Sequence, residues 1–288
     1  LPDSLTLIHN NTFENCYTLS YIVIPTKVIS IGDSAFLNCV RLSSILFRCA
    51  TVSIGSSAFR SCDLLEFVDF PKQSVSIGSN SFESCKHLVN IDFTSSRTII
   101  HQEAFRFCNM VDIVFKGNLS IHNRAFEYCS CLKTIQIEEK VGYIAHDAFH
   151  KCPNLTDINV NKGNQQYESI DGILFSKGPN KRLMTYPVKK PLVSYTMPNS
   201  VTIIEEYAFQ DSYLLKNIFI QDGVTLIGNS AFASSALTTI SLPKTIRSIN
   251  SSAFDSCRNL ISVNLPDGLT SIGPTAFYQC YNLTSITL

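Results

Sequence analysis

The chain has no net charge, few charged side chains and no long apolar run, and each lack excludes a class of protein. Its 23 basic and 23 acidic residues balance over 288 positions, and only 16% of residues are charged against 45% hydrophobic. Disordered chains carry far less apolar material than this, and nucleic-acid binders carry a basic surplus. The expectation is a folded, core-rich protein with no nucleic-acid partner. No apolar run approaches the roughly 20 residues of a membrane-spanning helix, so this segment is not expected to insert into a membrane. The first residues, LPDSLTLIHNNTF, lack the basic and apolar regions of a signal peptide. GxSxG, HExxH, Walker and GxGxxG motifs are missing, and no Cys, His and Asp constellation stands out, so neither catalysis nor a cofactor is expected. The chain begins at Leu1 instead of Met, which reads as a fragment or processed form of a longer protein.

What the chain does have is a repeat of about 23 residues, seen cleanly in SIGDSAFLNCVRLSSILF (Ser30 to Phe47). Phe recurs at 13, 36, 59, 82, 105, 126, 149, 209, 232, 254 and 277, and an Ile stands five residues before every one, from Ile8 to Ile272. The residue just before Phe is Ala in nine copies, with Thr12 and Ser81 in the other two, as expected where neighbouring backbones approach closely. Three residues after Phe comes Cys in nine copies, replaced by Ser212 and Ser235 in two. An apolar pattern LxxIxL follows, as in Leu42, Ile45 and Phe47.

The alternation in IxL predicts a short strand with one buried face. The Ile, Ala and Phe group has helix-like or turn-like spacing and must pack from the other side. One strand per coil predicts an α/β repeat solenoid with a parallel sheet. The step from Phe149 to Phe209 is 60 residues and resolves into a degenerate coil plus 14 extra residues. Tyr186 takes the Phe slot of that coil, with Leu192, Tyr195 and Met197 in the LxxIxL slots. The excess falls in YESIDGILFSKGPNKRLMTYP, where apolar runs flank the turn-rich segment Lys177 to Lys181, a β-hairpin signal. The count is about twelve coils in one domain, 1–288, with N-terminal repeats in 1–160, the insertion hairpin and degenerate repeat in 161–200, and C-terminal repeats in 201–288.

The period, the LxxIxL strand and the IGxxAFxxC segment resemble leucine-rich repeats, specifically the BspA-like class, over essentially the whole chain. The interruption fits too, because SIDGILFSKGPNKRLMTYPVKK resembles the DGVLF and YP segments that punctuate BspA-like arrays. The frequent Cys after Phe resembles copies from parasitic protists more than bacterial ones. The resemblance implies a right-handed coil with its parallel sheet on the concave face. It further implies a cell-surface or secreted protein that adheres to host matrix proteins or to other microbes, and no catalytic residues. Both ends stop inside a repeat, at Leu1 and Leu288.

Eleven cysteines invite a disulfide or metal reading, but nine hold one position per repeat. Such a column reads as a ladder in which each thiol is a small buried hydrophobe and a weak donor to a turn carbonyl. Ser212 and Ser235 supply the same donor. Disulfide and zinc readings need cysteines to converge. Cys49 and Cys131 lie outside the column and are candidate reactive surface thiols. Free thiols also suit a reducing compartment, which favours the alternative reading of an intracellular interaction scaffold. His9, His101 and His122 follow the repeat's Ile, and the last two fall on consecutive rungs, but no third metal ligand accompanies them and no metal is expected.

Solenoids commonly bind through the exposed sheet face, and its outward positions alternate with the buried IxL pair. The candidate ligand-binding residues are Phe67, Asp69, Asn90, Asp92, Asp112, Gln136, Asn159, Asn217 and Phe219, with Val114 and Lys116 on the same face. This polar surface suits a protein or glycan ligand, an extracellular-matrix protein included, with Phe67 and Phe219 as anchors. Asp69 and Asp92 share a column on adjacent strands and form an acidic spot, too few carboxylates for calcium. Residues 161 to 200 carry a net charge of +4, leaving −4 on the rest. Lys177, Lys181, Arg182, Lys189 and Lys190 are therefore a candidate basic patch for an acidic glycan or partner. Sequons start at Asn10, Asn118, Asn154, Asn250 and Asn282, and permit glycosylation of a secreted chain.

Overall fold

The computed structural model describes residues 1–287, with the backbone only at Asn90. The chain forms two compact units: Leu1–Pro153 with Val160–Gln165, and Asn154–Asn159 with the chain from Gln166 onward. Each is a parallel β-solenoid, with about twelve turns in all when Tyr186 is counted as an aromatic rung.

Each coil contributes more than the single strand that the LxxIxL alternation suggests. In the first unit one ladder runs through Tyr21–Ile24, Ser44–Phe47, Phe67–Asp69 and Asn90–Ile91, in register Ile22↔Ile45↔Val68↔Ile91. It resumes at Asp112–Phe115, paired with Thr134–Ile137. A second parallel ladder ends on the repeat's own Ile, in register Ile8↔Ile31↔Ile54↔Ile77↔Ile100↔Ile121↔Ile144. Several of its strands are two residues long, such as Ser30–Ile31, too short for alternation to show in the sequence. The second unit repeats the plan, with Ser194–Thr196, Asn217–Phe219, Thr239–Ser241, Ser262–Asn264 and Ser285–Thr287 in one ladder.

Among the described residues there is no helix, so the α/β class gives way to an all-β coil. The Phe segment shows why. In all the Phe coils but that of Phe149, the residues two before and two after the ring sit in the left-handed region, as at Ser34 (φ 54) and Asn38 (φ 59), which a right-handed helix cannot accommodate. Tight turns bond Leu37 N–H to Ser34 O at 3.1 Å and Cys39 N–H to Phe36 O at 3.2 Å. Other N–H groups of the segment point to the next coil, Phe36 donating to Ala58 O and Phe59 to Ser81 O, both at 2.7 Å. The small residue before the ring, Ala35 or Ala58, is buried between backbones held this close.

The core is a stack of rings. Phe36, Phe59, Phe82, Phe105 and Phe126 are fully buried, and successive centroids lie 5.0 to 5.3 Å apart. Phe70, Phe93 and Phe115, from the IxL strands, meet this stack edge-on, as Phe93 does Phe105 at 5.8 Å and 83°. Each buried ring contributes about 1.5–3 kcal/mol from area removed from water. In the second unit Tyr186 stacks on Phe209 at 4.9 Å and its N–H bonds Ala208 O at 2.8 Å, so it fills the aromatic slot. Tyr195 pairs with Ile218 in the strand ladder.

The insertion is more than one hairpin. Tyr167–Ile170 pairs antiparallel with Ile173–Ser176, which pairs antiparallel with Lys181–Thr185. Lys181–Thr185 then joins Val201–Ile204 in parallel. The first turn is Asp171 (φ 51) and Gly172 (φ 71), a two-residue turn with both central residues left-handed. The positive φ of Gly172 favours glycine, and a Cβ there would also push aside Asp157 Oδ1, 2.3 Å away.

Candidate functional site

Where the first-unit strand ladder pauses, between Ile91 and Asp112, a bridge Phe93↔Phe115 joins the two coils. The bridged residues are 22 apart, one short of the usual step, and in the next coil Phe105 and Phe126 are 21 apart. The core stack continues beneath, so the irregularity appears on the outward face. A cavity of about 260 Å³ opens there, lined by Phe67, Ile91, Asp92, Asp112, Val114 and Lys116. It gathers three of the candidate residues, Phe67, Asp92 and Asp112, with the outward Val114 and Lys116.

Phe67 is 47% exposed, a large apolar ring with no core to pack against. Asp112 accepts a hydrogen bond from Thr134 Oγ1, whereas Asp69 is held by Lys72 Nζ at 3.0 Å. Lys72 thus offsets the charge that Asp69 brings beside Asp92. Gln136 stands half-buried on the next strand. The side chain of Asn90 lies outside the described residues. In the second unit Phe219 is 58% exposed and Asn217 half-buried on one strand, and Asn159 is exposed. The strand positions present an apolar ring, carboxylates and one lysine in a small hollow, an arrangement suited to binding. Among the described residues no three His, Cys, Asp or Glu side chains converge as a metal site would require.

The basic candidates of the insertion are placed mostly in partnerships. Lys181 pairs with Glu168 and lies over the Phe175 ring at 5.2 Å, and Arg182 pairs with Glu205. Lys190 is buried and holds Asp157 at 2.9 Å, beneath the Gly172 turn. Lys189 donates to Asn154 Oδ1 at 2.8 Å, and Lys177 is exposed. At least three of these five charges are therefore matched locally by carboxylates.

The cysteine column is a ladder of thiols. Cys39, Cys62, Cys85, Cys108, Cys129 and Cys152 each donate to the carbonyl of the Phe one coil back, at 3.1 to 3.4 Å, as Cys62 does to Phe36. All eleven cysteines are free. Burial pushes the thiol of Cys39 up to about 11 and that of Cys108 to about 12. Cys49 is not a surface thiol: it is buried, and burial raises its pKa. Cys131 is half-buried. Ser212 differs from the cysteines it replaces, donating to Phe209 in its own coil at 2.6 Å. The shorter Cβ–O bond does not carry its hydroxyl to the coil behind. The His101 and His122 rings stack at 5.4 Å, and burial, with His122 nearby, lowers the pKa of His101.

Sequence reasoning missed a ladder of charges just after the ring. Position by position down the first unit, that column reads Arg60, Glu83, Arg106, Glu127 and His150. Arg60 meets Glu83 at 3.0 Å, Arg106 meets Glu127 at 2.8 Å, and His150 Nδ1 meets Glu127 at 2.9 Å. The signal was the alternation of sign at one repeat position, visible only when coils are stacked.

Parallel strands in register, an aromatic stack in each unit and a thiol column define a leucine-rich-repeat solenoid, in general a non-catalytic scaffold for protein binding. The family model described as BspA type leucine rich repeat region matches residues 1–96, 52–180 and 187–288, and the chain belongs to that family. A search of the curated proteins found no match. Among solved structures, the chain is similar to a leucine rich cell surface protein from Faecalibacterium prausnitzii A2-165, at 25% identity and a TM-score of 0.68, covering 99% of this chain and 77% of that one. It is similar in fold to the pneumococcal vaccine antigen PcpA, at 24% identity and a TM-score of 0.69, covering 98% and 67%. A leucine-rich repeat protein from Eubacterium ventriosum shares the fold at 23% identity and a TM-score of 0.69, covering 93% and 72%.

Proposed function

We propose that the chain is the non-catalytic recognition module of a cell-surface or secreted protein, and that it adheres to a host or microbial surface macromolecule through the outward strand face. The observation that carries this reading is the hollow at the ladder pause, where exposed Phe67 stands with Asp92, Asp112 and Lys116. An aromatic anchor ringed by charged groups is the composition of a binding hot spot. A protein ligand presents an apolar side chain to Phe67 and hydrogen-bonds the carboxylates, and extracellular-matrix proteins are the first candidates, glycans the second. The cell-surface description of the Faecalibacterium relative supports the location. Phe219 with Asn217 offers a second anchor in the other unit.

Two measurements test this. Antibody labelling of intact source cells is expected to equal labelling after permeabilisation, and the purified chain is expected to bind a member of a panel of immobilised matrix proteins and glycans. Labelling only after permeabilisation, with no binding to the panel, overturns it. One observation favours a second reading, an intracellular interaction scaffold: eleven free thiols suit a reducing compartment. Eight of the eleven are buried, however, and burial makes these inert, so they persist equally well outside the cell.

A further inference from the structure

Phe107 and Tyr128 break the pattern of their column. Two residues after the ring, the other coils of the first unit carry Asn15, Asn38, Ser61, Ser84 and Lys151. The backbone is left-handed at every one of these positions, and equally at Phe107 (φ 59) and Tyr128 (φ 57). Asn tolerates that conformation because its short polar side chain bonds locally, whereas a bulky ring is held there against its preference. Two adjacent coils have nevertheless put aromatic rings in it. Neither ring serves the core, since Phe107 is 39% and Tyr128 38% exposed.

The two rings stack on each other at 5.0 Å and 13°. The guanidinium carbon of Arg106 lies 4.7 Å from the Phe107 centroid and 5.4 Å from that of Tyr128. These three distances make a nearly equilateral triangle, so the guanidinium is shared between the two rings and does not cap the outer face of Phe107. On the Phe107 side the preceding rung is Ser84, whose N–H bonds Arg106 O at 2.9 Å and whose side chain is too short to cover a ring. The charges around this platform are committed to one another: Arg106 meets Glu83, Glu103 and Glu127, and Glu103 also accepts from Asn80 and Gln102. The guanidinium beside the rings therefore offers a ligand no unmatched charge.

A flat apolar face bordered by neutralised hydrogen-bonding groups is complementary to a neutral sugar ring. The weakly positive C–H groups on one face of a pyranose suit the negative face of an aromatic ring, while its hydroxyls reach polar neighbours such as Gln102 and Glu103. We propose that the Phe107–Tyr128 platform is a binding site for neutral hexose or N-acetylhexosamine residues of a glycan. It shares no residue with the strand-face hollow and stands whether or not that hollow binds a protein.

The test uses the full chain and an immobilised panel of neutral oligosaccharides of glucose, galactose, mannose and N-acetylglucosamine. The double variant Phe107→Ser/Tyr128→Ser installs the residue that Ser61 and Ser84 already place in this column, so folding is preserved. The wild-type chain is expected to bind at least one panel member, the double variant to bind it at least tenfold more weakly, and Tyr128→Phe, which keeps the stack, to bind normally. The melting temperature of the double variant is expected to hold or rise as the left-handed positions relax. No binding by the wild-type chain overturns the proposal, as does equal binding by the double variant. A fall in melting temperature with binding unchanged assigns the pair to structure alone and overturns it too.

Discussion

The rings of Phe105 and Phe126 lie one coil apart with centroids 5.3 Å from each other and planes within 10° of parallel, both fully buried. The stack carries through the coil that is short by two residues, which places that deletion at the surface. Phe105→Ala leaves a ring-sized void between Phe82 and Phe126, and the expected cost is about 3–5 kcal/mol. Denaturant unfolding measures it. A loss below about 1 kcal/mol would contradict the assignment of Phe105 to the core column.

The carboxylate of Glu127 is nearly buried and is held by Arg106 Nε at 2.8 Å and His150 Nδ1 at 2.9 Å. Glu127→Gln keeps the shape and removes the charge, and is expected to cost about 1.5–3 kcal/mol, the range for hydrogen bonds to charged groups. Thermal melting at low and high salt measures this, and because the group is buried the cost is expected to persist at 1 M salt. A neutral substitution would make the alternating column a solvated decoration.

The thiols of Cys39 and Cys108 set a pH dependence. Folded, they keep their protons to about pH 11 and 12, whereas an unfolded thiol ionises near 9.0. Their contribution to stability is whole below pH 9 and is lost as pH rises through the folded values. The denaturant midpoint is therefore expected to stay level up to pH 9 and then to fall. Thiol-modifying reagents at pH 8 are expected to react with half-buried Cys131 long before Cys39, Cys62 or Cys85. A flat alkaline profile, or uniform labelling of the native chain, would mean the thiol column is open to solvent.

Tyr186 fills a phenylalanine slot and carries a hydroxyl that is buried without a hydrogen-bond partner. Burial pushes its pKa up to about 12. Removing an unsatisfied buried polar group relieves about 1–3 kcal/mol of desolvation cost, so Tyr186→Phe is expected to be neutral or stabilising in a thermal melt. A clear drop in melting temperature would show that the hydroxyl is satisfied in solution.

Much of the core was legible because burial constrains one residue type at one position in every coil. The columns of Ile, Ala, Phe and Cys fixed the coil period, and Tyr186 could be recognised as a substituted rung from spacing alone. The second ladder was not legible, because a strand as short as Ser30–Ile31 is made by hydrogen bonds to other coils and has no room for alternation. The left-handed turns were hidden for a related reason. Their Ser and Asn residues signal a turn, but Phe107, Tyr128 and Lys151 take the same φ because the coils on either side impose it. Of the strand-face candidates, Phe67, Asp92 and Asp112 come together where the ladder pauses at Ile91, and spacing does not announce that pause, since strands equally far apart pair regularly at Asp112↔Thr134. The insertion's cations read as a basic excess, yet Lys181, Arg182 and Lys190 found carboxylates at Glu168, Glu205 and Asp157, each distant in sequence.

The central claim is that the hollow around Phe67 recognises a ligand. Its most direct test is the affinity of Phe67→Ala and Asp92→Asn chains for the matrix protein or glycan captured by the wild-type chain. Both side chains are outside the core, so their melting temperatures are expected to match the wild type. Loss of an aromatic hot spot costs about 2 kcal/mol or more, so affinity is expected to fall by at least tenfold in Phe67→Ala. Unchanged affinity in both variants, with the fold intact, would contradict the assignment and move the binding surface elsewhere on the solenoid.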